Sequence, residues 1–281
     1  MNNRIGIAIG TINTPLSSFD SNALAYITNA GITNPTQQVA INDFVLALKS
    51  SGMWNNLYAF YPLMGSTLSA NSYNLINVSQ YQINWVGSPT VSSGGITFNG
   101  TTQYGDTGFS PIAVSGFSEG SVTLGLWDAT GFNSRTEAPM GATENVGSER
   151  IRAIWFNTNN NLTDIWSQNN SSGRIVFTSQ AIGHWMFGRR SSSDAYTYWY
   201  QTNSSGLSNT WTNSATIATT PIPTNKIFVG ATSDGSPGVN TPVLYSNKYY
   251  KFFYIAKSIS TGSQLTGFVN NVYTFMTATG K

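Results

Sequence analysis

Gly183-His184-Trp185-Met186-Phe187-Gly188-Arg189-Arg190, followed after a serine-rich break by Tyr196-Thr197-Tyr198-Trp199-Tyr200, is the stretch that decides how this chain is read. Both runs are rich in aromatic and apolar residues, lack a helical period and are separated by small polar residues, which is the pattern of β-strands. In the second run residues 196, 198 and 200 share one face while Thr197 and Trp199 share the other, so one of the two must meet a core. The same pattern continues outward. Upstream lie Gly95 to Phe98, Val122 to Trp127, Ile151 to Phe156 and Arg174 to Phe177; downstream lie Lys226 to Gly230 and Tyr249 to Ile255. Many short strands without intervening helices predict a mainly β fold, an antiparallel sandwich rather than a βαβ arrangement.

Helices flank this region. Asp20 or Ser21 caps a short helix carrying Leu24, Tyr26 and Ile27, which Gly31 stops. A second helix opens with Asn34 as N-cap, Pro35 in the first turn and Gln37 in the capping-box place, and presents Ile41, Phe44, Val45 and Leu48 on one face before Lys49 and Gly52 end it. Trp54, Leu57, Tyr58, Phe60 and Tyr61 then form an aromatic bridge, closed by Pro62, that packs the helices onto the next domain. At the other end Leu265, Phe268, Val269, Val272 and Phe275 return to helical spacing. Ahead of everything, Ile5, Ile7, Ile9 and Ile12 alternate with Gly6, Ala8 and Gly10. A flat glycine-rich strand of this kind has weakly specified register and adds to a sheet edge, its own or another subunit's. Residues 1–62 are accordingly read as an arm and helical lead-in for anchoring or oligomerisation, and 63–281 as the sandwich domain.

Composition narrows the functions. The chain has 281 residues, enough to bury a core without disulfides, and no cysteine. Charged residues make up 9%, against about 25% in ordinary soluble proteins. With 13 Lys and Arg against 11 Asp and Glu, the scattered net charge of +2 builds no phosphate-tracking stripe, so no nucleic-acid partner is expected. Fifteen Phe, 14 Tyr and 8 Trp exclude a disordered chain. Neither a signal peptide nor a membrane-spanning run is visible, so the expected route is synthesis in the cytoplasm without membrane partnership.

Several phrases resemble the concanavalin A-like lectin/glucanase (laminin-G-like) jelly roll as it occurs in bacteriophage structural proteins. One is Gly95-Ile96-Thr97-Phe98-Asn99-Gly100 running on to Thr107, similar to that domain's early strand pair. The opening stretch, with Asn203-Ser204-Ser205-Gly206 in place of the family's asparagine-glycine hairpin, is similar to its central strands. Phe252 to Ser260 and the helix from Gln264 to Phe275 resemble its last strand and terminal helix. Ala25 to Gln38, with Tyr61-Pro62-Leu63-Met64-Gly65 after the second helix, looks like the helical lead-in of phage-encoded members. The resemblance implies a jelly-roll fold and a virion location, with other virion proteins, further copies of the chain (a trimer among them) and a host-surface glycan as partners. It specifies fold better than function, because this sandwich hosts lectins, hydrolases and structural modules.

Glucanases of this fold carry two carboxylates on one strand, facing the same way. Here the nearest acidic neighbours, Glu144 and Glu149, are five apart around Gly147 in a stretch, Met140 to Ser148, that reads as a loop; with only 7 Asp and 4 Glu, no local pair fits, and no enzymatic activity is expected. His184, the only histidine, reads as a packed strand residue rather than a base. Asp128, Asp164 and Asp234 have calcium-type oxygens but no calcium-loop spacing, so neither metal nor cofactor is expected. For carbohydrate, rings cover apolar sugar faces while amides and hydroxyls meet the sugar hydroxyls. The candidates are Trp155, Asn159, Trp166, Trp199 and Trp211, each of which competes with a role in the core. The expected function is a virion structural protein on a head or tail surface, with a free lectin as the alternative and a glycoside hydrolase third.

Overall fold

The computed structural model describes residues 18–118, 120–131, 135–144, 150–154, 161–166, 174–177, 182–191, 193–200, 209–213, 222–259 and 262–281. Its helices are α1 (Ser21–Asn29), α2 (Pro35–Ser50) and α3 (Ser263–Ala278). The strands are β1 (Leu57–Tyr61), β2 (Asn84–Val86), β3 (Thr90–Ser92), β4 (Gly95–Thr97), β5 (Tyr104–Asp106), β6 (Val122–Asp128), β7 (Met140–Thr143), β8 (Arg150–Ile154) and β9 (Asn161–Trp166), then β10 (Arg174–Phe177), β11 (Gly183–Ser191), β12 (Asp194–Tyr200), β13 (Asn209–Asn213), β14 (Phe228–Val229), β15 (Thr232–Asp234), β16 (Thr241–Val243) and β17 (Tyr249–Ala256). The anticipated loop from Met140 therefore begins as strand β7, which hydrogen-bonds on both sides.

Cap chemistry starts the helices where the sequence places them. Asp20 accepts from Asn22 N at 2.9 Å, and Asn34 Oδ1 accepts from Thr36 N and Gln37 N at 2.9 and 3.3 Å. It is Gln38, not Gln37, that reaches back, donating to Ile32 O at 2.8 Å. Gly31 leaves α1 with φ +63°, the left-handed conformation that a C′ position requires.

Two sheets form. One runs β13-β12-β11-β6-β17-β4-β3 with β1 also on β17; the other runs β10-β9-β8-β7-β14-β5-β2 with β15 beside β7 and β16 beside β15. Among the described residues every strand pairing is antiparallel except that of β15 with β7. Between the sheets lies a core that includes Leu124, Leu126, Trp185, Phe187, Phe253 and Ile255 from the first sheet and Met140, Ala142, Ile151 and Ile175 from the second. A second core fills the other face of the first sheet, where Phe60, Met186, Tyr196, Phe252 and Tyr254 meet α1, α2 and α3. The molecule is thus three layers, helices on sheet on sheet, and the first sheet is buried on both faces. That is why β6 is buried along its whole length and why both faces of Tyr196 to Tyr198 are apolar or sealed.

Two local devices make the double burial fit. Register shifts between Tyr250 and Phe253 where β17 pairs with β6, so both residues enter the inter-sheet core although they are three apart. Gly125 leaves room for Tyr254, whose ring lies so close that a Cβ on residue 125 would sit 1.9 Å from Cζ.

The helices are integral to this unit. β1 pairs with β17, α2 packs on α3, and the stripe Ile41, Phe44, Val45 and Leu48 is buried against the chain's own sheet and helix. Residues 18–62 therefore share a core with the first sheet and α3, and that stripe is not left over for another subunit. Ile5, Ile7, Ile9 and Ile12 lie outside the described residues. No described helix is long and apolar enough to cross a membrane.

Candidate functional site

With the helix layer on one face of the first sheet, the remaining sheet face is the outer one of the second sheet, which is buried at Phe228 and open at Val176. On β8 and β10 the alternation is set by Ile151 and Ile175, which are buried between the sheets. Arg150, Arg152 and Val176 stand in the opposite phase; Val176 is 50% exposed and both arginines are half-buried. Register aligns Arg150 with Trp166, Arg152 with Asp164, and Asp164 with Arg174. Position 166 is thus in the outward phase beside two arginines. Gly141, opposite Arg152 on β7, keeps this face tight, since a Cβ there would lie 2.4 Å from that of Arg152. Arg152 also donates toward Thr143 Oγ1 at 3.4 Å.

The other carbohydrate candidates are placed differently. Trp155 and Asn159 lie outside the described residues. Position 199 pairs with Trp185, and position 211 pairs with Thr197. Trp185 and Thr197 are both buried, Trp185 in the inter-sheet core, so these two positions run in the core phase of the first sheet. The arginines beside position 166 were not in the sequence-based set. Their signal was present in the alternation Arg150-Ile151-Arg152, an apolar residue flanked by cations.

On the helix side of the first sheet, His184 is 2% exposed, with Nε2 2.9 Å from Tyr254 Oη and its ring edge-on to Phe252, Tyr254 and Phe268. Burial depresses its pKa from the ordinary 6.5 to about 3. The native state therefore resists a proton that the unfolded chain accepts. Stability contributed by the neutral ring is complete above about pH 6.5 and is lost as pH falls toward the folded value, by up to about 1.4 kcal/mol per pH unit. Thermal melts between pH 7 and pH 4 are expected to show this slope, and His184→Gln is expected to flatten it.

The acidic residues gather in ways that local spacing does not show. Glu144 is buried and its Oε1 accepts from Thr224 N, Thr224 Oγ1 and Asn225 N, tying the end of β7 to the segment before β14. At the end of β6, Asp128 and Glu137 converge on Lys248, all three being at most 1% exposed. Lys248 Nζ is 2.8 Å from Asp128 Oδ2 and 3.7 Å from Glu137 Oε1, and it donates to Gly131 O. Asp128 Oδ1 accepts from Thr130 N at 2.8 Å and Gly131 N at 3.0 Å, while Glu137 Oε2 accepts from Asn247 N at 2.8 Å. Asp128 is thus held by a lysine, and Asp234 Oδ1 accepts from Gly235 N. Among the described residues no cluster of three or more His, Cys, Asp or Glu is arranged to hold a metal ion.

No family model and no curated protein matches the chain. Among solved structures it is similar to Trypanosoma rangeli sialidase in complex with sialic acid, with a TM-score of 0.50 and 11% identity over 83% of this chain and 38% of that one. It is also similar to the same sialidase in complex with 2,3-difluorosialic acid as a covalent intermediate, with a TM-score of 0.45 and 12% identity over 84% and 39% of the two chains. At such identity the likeness is one of fold, and the matched part is well under half of the sialidase. It nonetheless overturns the expectation that the chain is no enzyme. The fold is shared with part of an enzyme, and the missing glucanase-type pair, sought only between neighbours in sequence, does not exclude catalysis.

Proposed function

We propose that this chain is a surface protein of a bacteriophage particle, displayed on the head or tail, whose sandwich is a concanavalin A-like jelly roll that grips carbohydrate on the host. The strand order supports the jelly roll. Read from one edge, the sheets place β3 with β2, β4 with β5, β17 with β14, β6 with β7, β11 with β8, β12 with β9 and β13 with β10 at corresponding positions. Three of these pairs, β3 with β2, β4 with β5 and β6 with β7, are adjacent in strand number, the succession expected where a chain passes between two sheets; the other four are three apart.

One observation carries the carbohydrate reading: the outward face of β8, β9 and β10, where Arg150 and Arg152 stand in register with positions 166 and 164. Guanidinium forks bind carboxylates in a planar, two-pronged way. Glycans bearing carboxylate groups are therefore the favoured class. Arg152→Ala is expected to weaken binding of such a glycan about tenfold, corresponding to roughly 1.4 kcal/mol, and added salt is expected to weaken the wild type. Titration by calorimetry at two salt concentrations checks both, and reading the same incubation for released sugar separates binding from turnover.

The virion location has its own test. Mass spectrometry of purified particles is expected to find the chain at stoichiometric levels, and deletion of residues 1–19 is expected to release it from them. Recovery of the intact chain only as a free protein would favour the lectin reading, and unchanged incorporation after the deletion would refute the anchoring role of the arm.

A further inference from the structure

We propose that Lys248 and Asp128 form an intramolecular isopeptide bond, with Glu137 as the proton carrier. The three groups lie in a water-excluded site built from the end of β6, the segment leading into β7 and the residue before β17. The amine is already in contact with the carboxyl it would acylate, Nζ to Oδ2 being 2.8 Å. Its second neighbour is a carboxylate oxygen, Glu137 Oε1, at 3.7 Å. The two oxygens of Asp128 are differentiated: Oδ2 faces the lysine, whereas Oδ1 accepts two backbone N–H bonds, from Thr130 and Gly131. That is the arrangement of an oxyanion hole on a group poised for attack. The Gly131 carbonyl holds the amine on its other side.

The chemistry balances without any co-reactant. One proton passes from the Lys248 ammonium to Asp128 Oδ2, giving a neutral amine and a carboxylic acid, a transfer that desolvation favours because it removes two buried charges. Burial is the largest influence on the Asp128 carboxyl and raises its pKa, against the lowering effects of Lys248 and the two backbone N–H groups. The Nζ lone pair then attacks Cγ, and the displaced π electrons settle on Oδ1, where the two N–H groups meet them. Glu137 takes the second proton from Nζ and returns it to Oδ2. The Cγ–Oδ2 bond breaks, water leaves, an amide remains and Glu137 is regenerated. Holding amine and acid together supplies the proximity that such a condensation lacks in solution. The bond would tie β6 to the start of β17, neighbours at the centre of the first sheet, giving a covalent staple to a chain with no cysteine.

Intact mass spectrometry of the purified full-length protein, with peptide mapping, tests this. The expected result is a mass short of the calculated value by one water molecule and a branched peptide joining Lys248 to Asp128. Lys248→Arg and Glu137→Gln are expected at full calculated mass, with the wild-type circular dichroism confirming that Glu137→Gln has folded. A folded wild type at full calculated mass, or a bond mapped to other residues, would overturn the proposal. A cross-linked Glu137→Gln would overturn the role given to Glu137.

Discussion

Phe60→Ala is expected to lower the unfolding free energy by roughly 3–5 kcal/mol, the cost of removing a fully packed aromatic ring. Phe60 sits on β1 with no exposed surface, where the helix layer meets the first sheet. Its ring centroid is 5.0 Å from Phe44 on α2, 5.5 Å from Phe252, 5.9 Å from Tyr254 and 6.3 Å from Phe275 on α3. No single element could close over the space left behind, because these neighbours belong to α2, α3 and β17. The backbone around it is also fixed, with Phe60 N donating to Asn74 Oδ1 at 3.0 Å and Phe60 O accepting from Leu75 N at 2.9 Å. Denaturant unfolding followed by circular dichroism checks the value. A loss below about 1 kcal/mol would mean that the helix layer is not part of the cooperative core.

Lys248→Met carries an effect of similar size for a different reason. A methionine preserves most of the side-chain volume, so packing changes little, but Asp128 and Glu137 are left as two buried carboxyls without their cation. Breaking a buried pair from one side costs roughly 3–5 kcal/mol, far more than the pair is worth against an apolar replacement. Adding Asp128→Asn and Glu137→Gln to Lys248→Met is therefore expected to recover much of the loss, and a thermal-melt comparison of single and triple variants checks it. The isopeptide proposal adds that neither variant can carry the cross-link, so the triple variant is expected to remain below the cross-linked wild type.

What the sequence made legible was mostly local. The Asn34-Pro35 helix start, the Gly31 stop and the closing helix could be seen because capping and helical periodicity act within a few residues. Strands β6, β11, β12 and β17 were visible through their apolar runs. That they are buried on both faces was less visible, since aromatic residues on both sides of Tyr196 to Tyr200 fit one core and one binding face equally well until the helix layer is placed. The bulge in β17 leaves no mark on composition. The Lys248–Asp128 contact joins residues 120 apart, beyond the reach of any spacing rule, so the gathering of Asp128 and Glu137 around Lys248 leaves no local mark. On the candidate glycan face, Trp166 was found because an indole near asparagines draws attention. Arg150 and Arg152 were passed over because two cations in a weakly charged chain do not form a patch until strand register sets them beside position 166.

The claim that the outer face of the second sheet grips acidic carbohydrate is checked on a glycan array probed with the folded full-length protein and with its Arg150→Ala/Arg152→Ala variant. Wild-type binding is expected to be confined largely to glycans that carry carboxylate groups and to be lost in the variant, whose circular dichroism is unchanged. An array on which the wild type binds no glycan, or on which the variant binds as the wild type does, would contradict the claim.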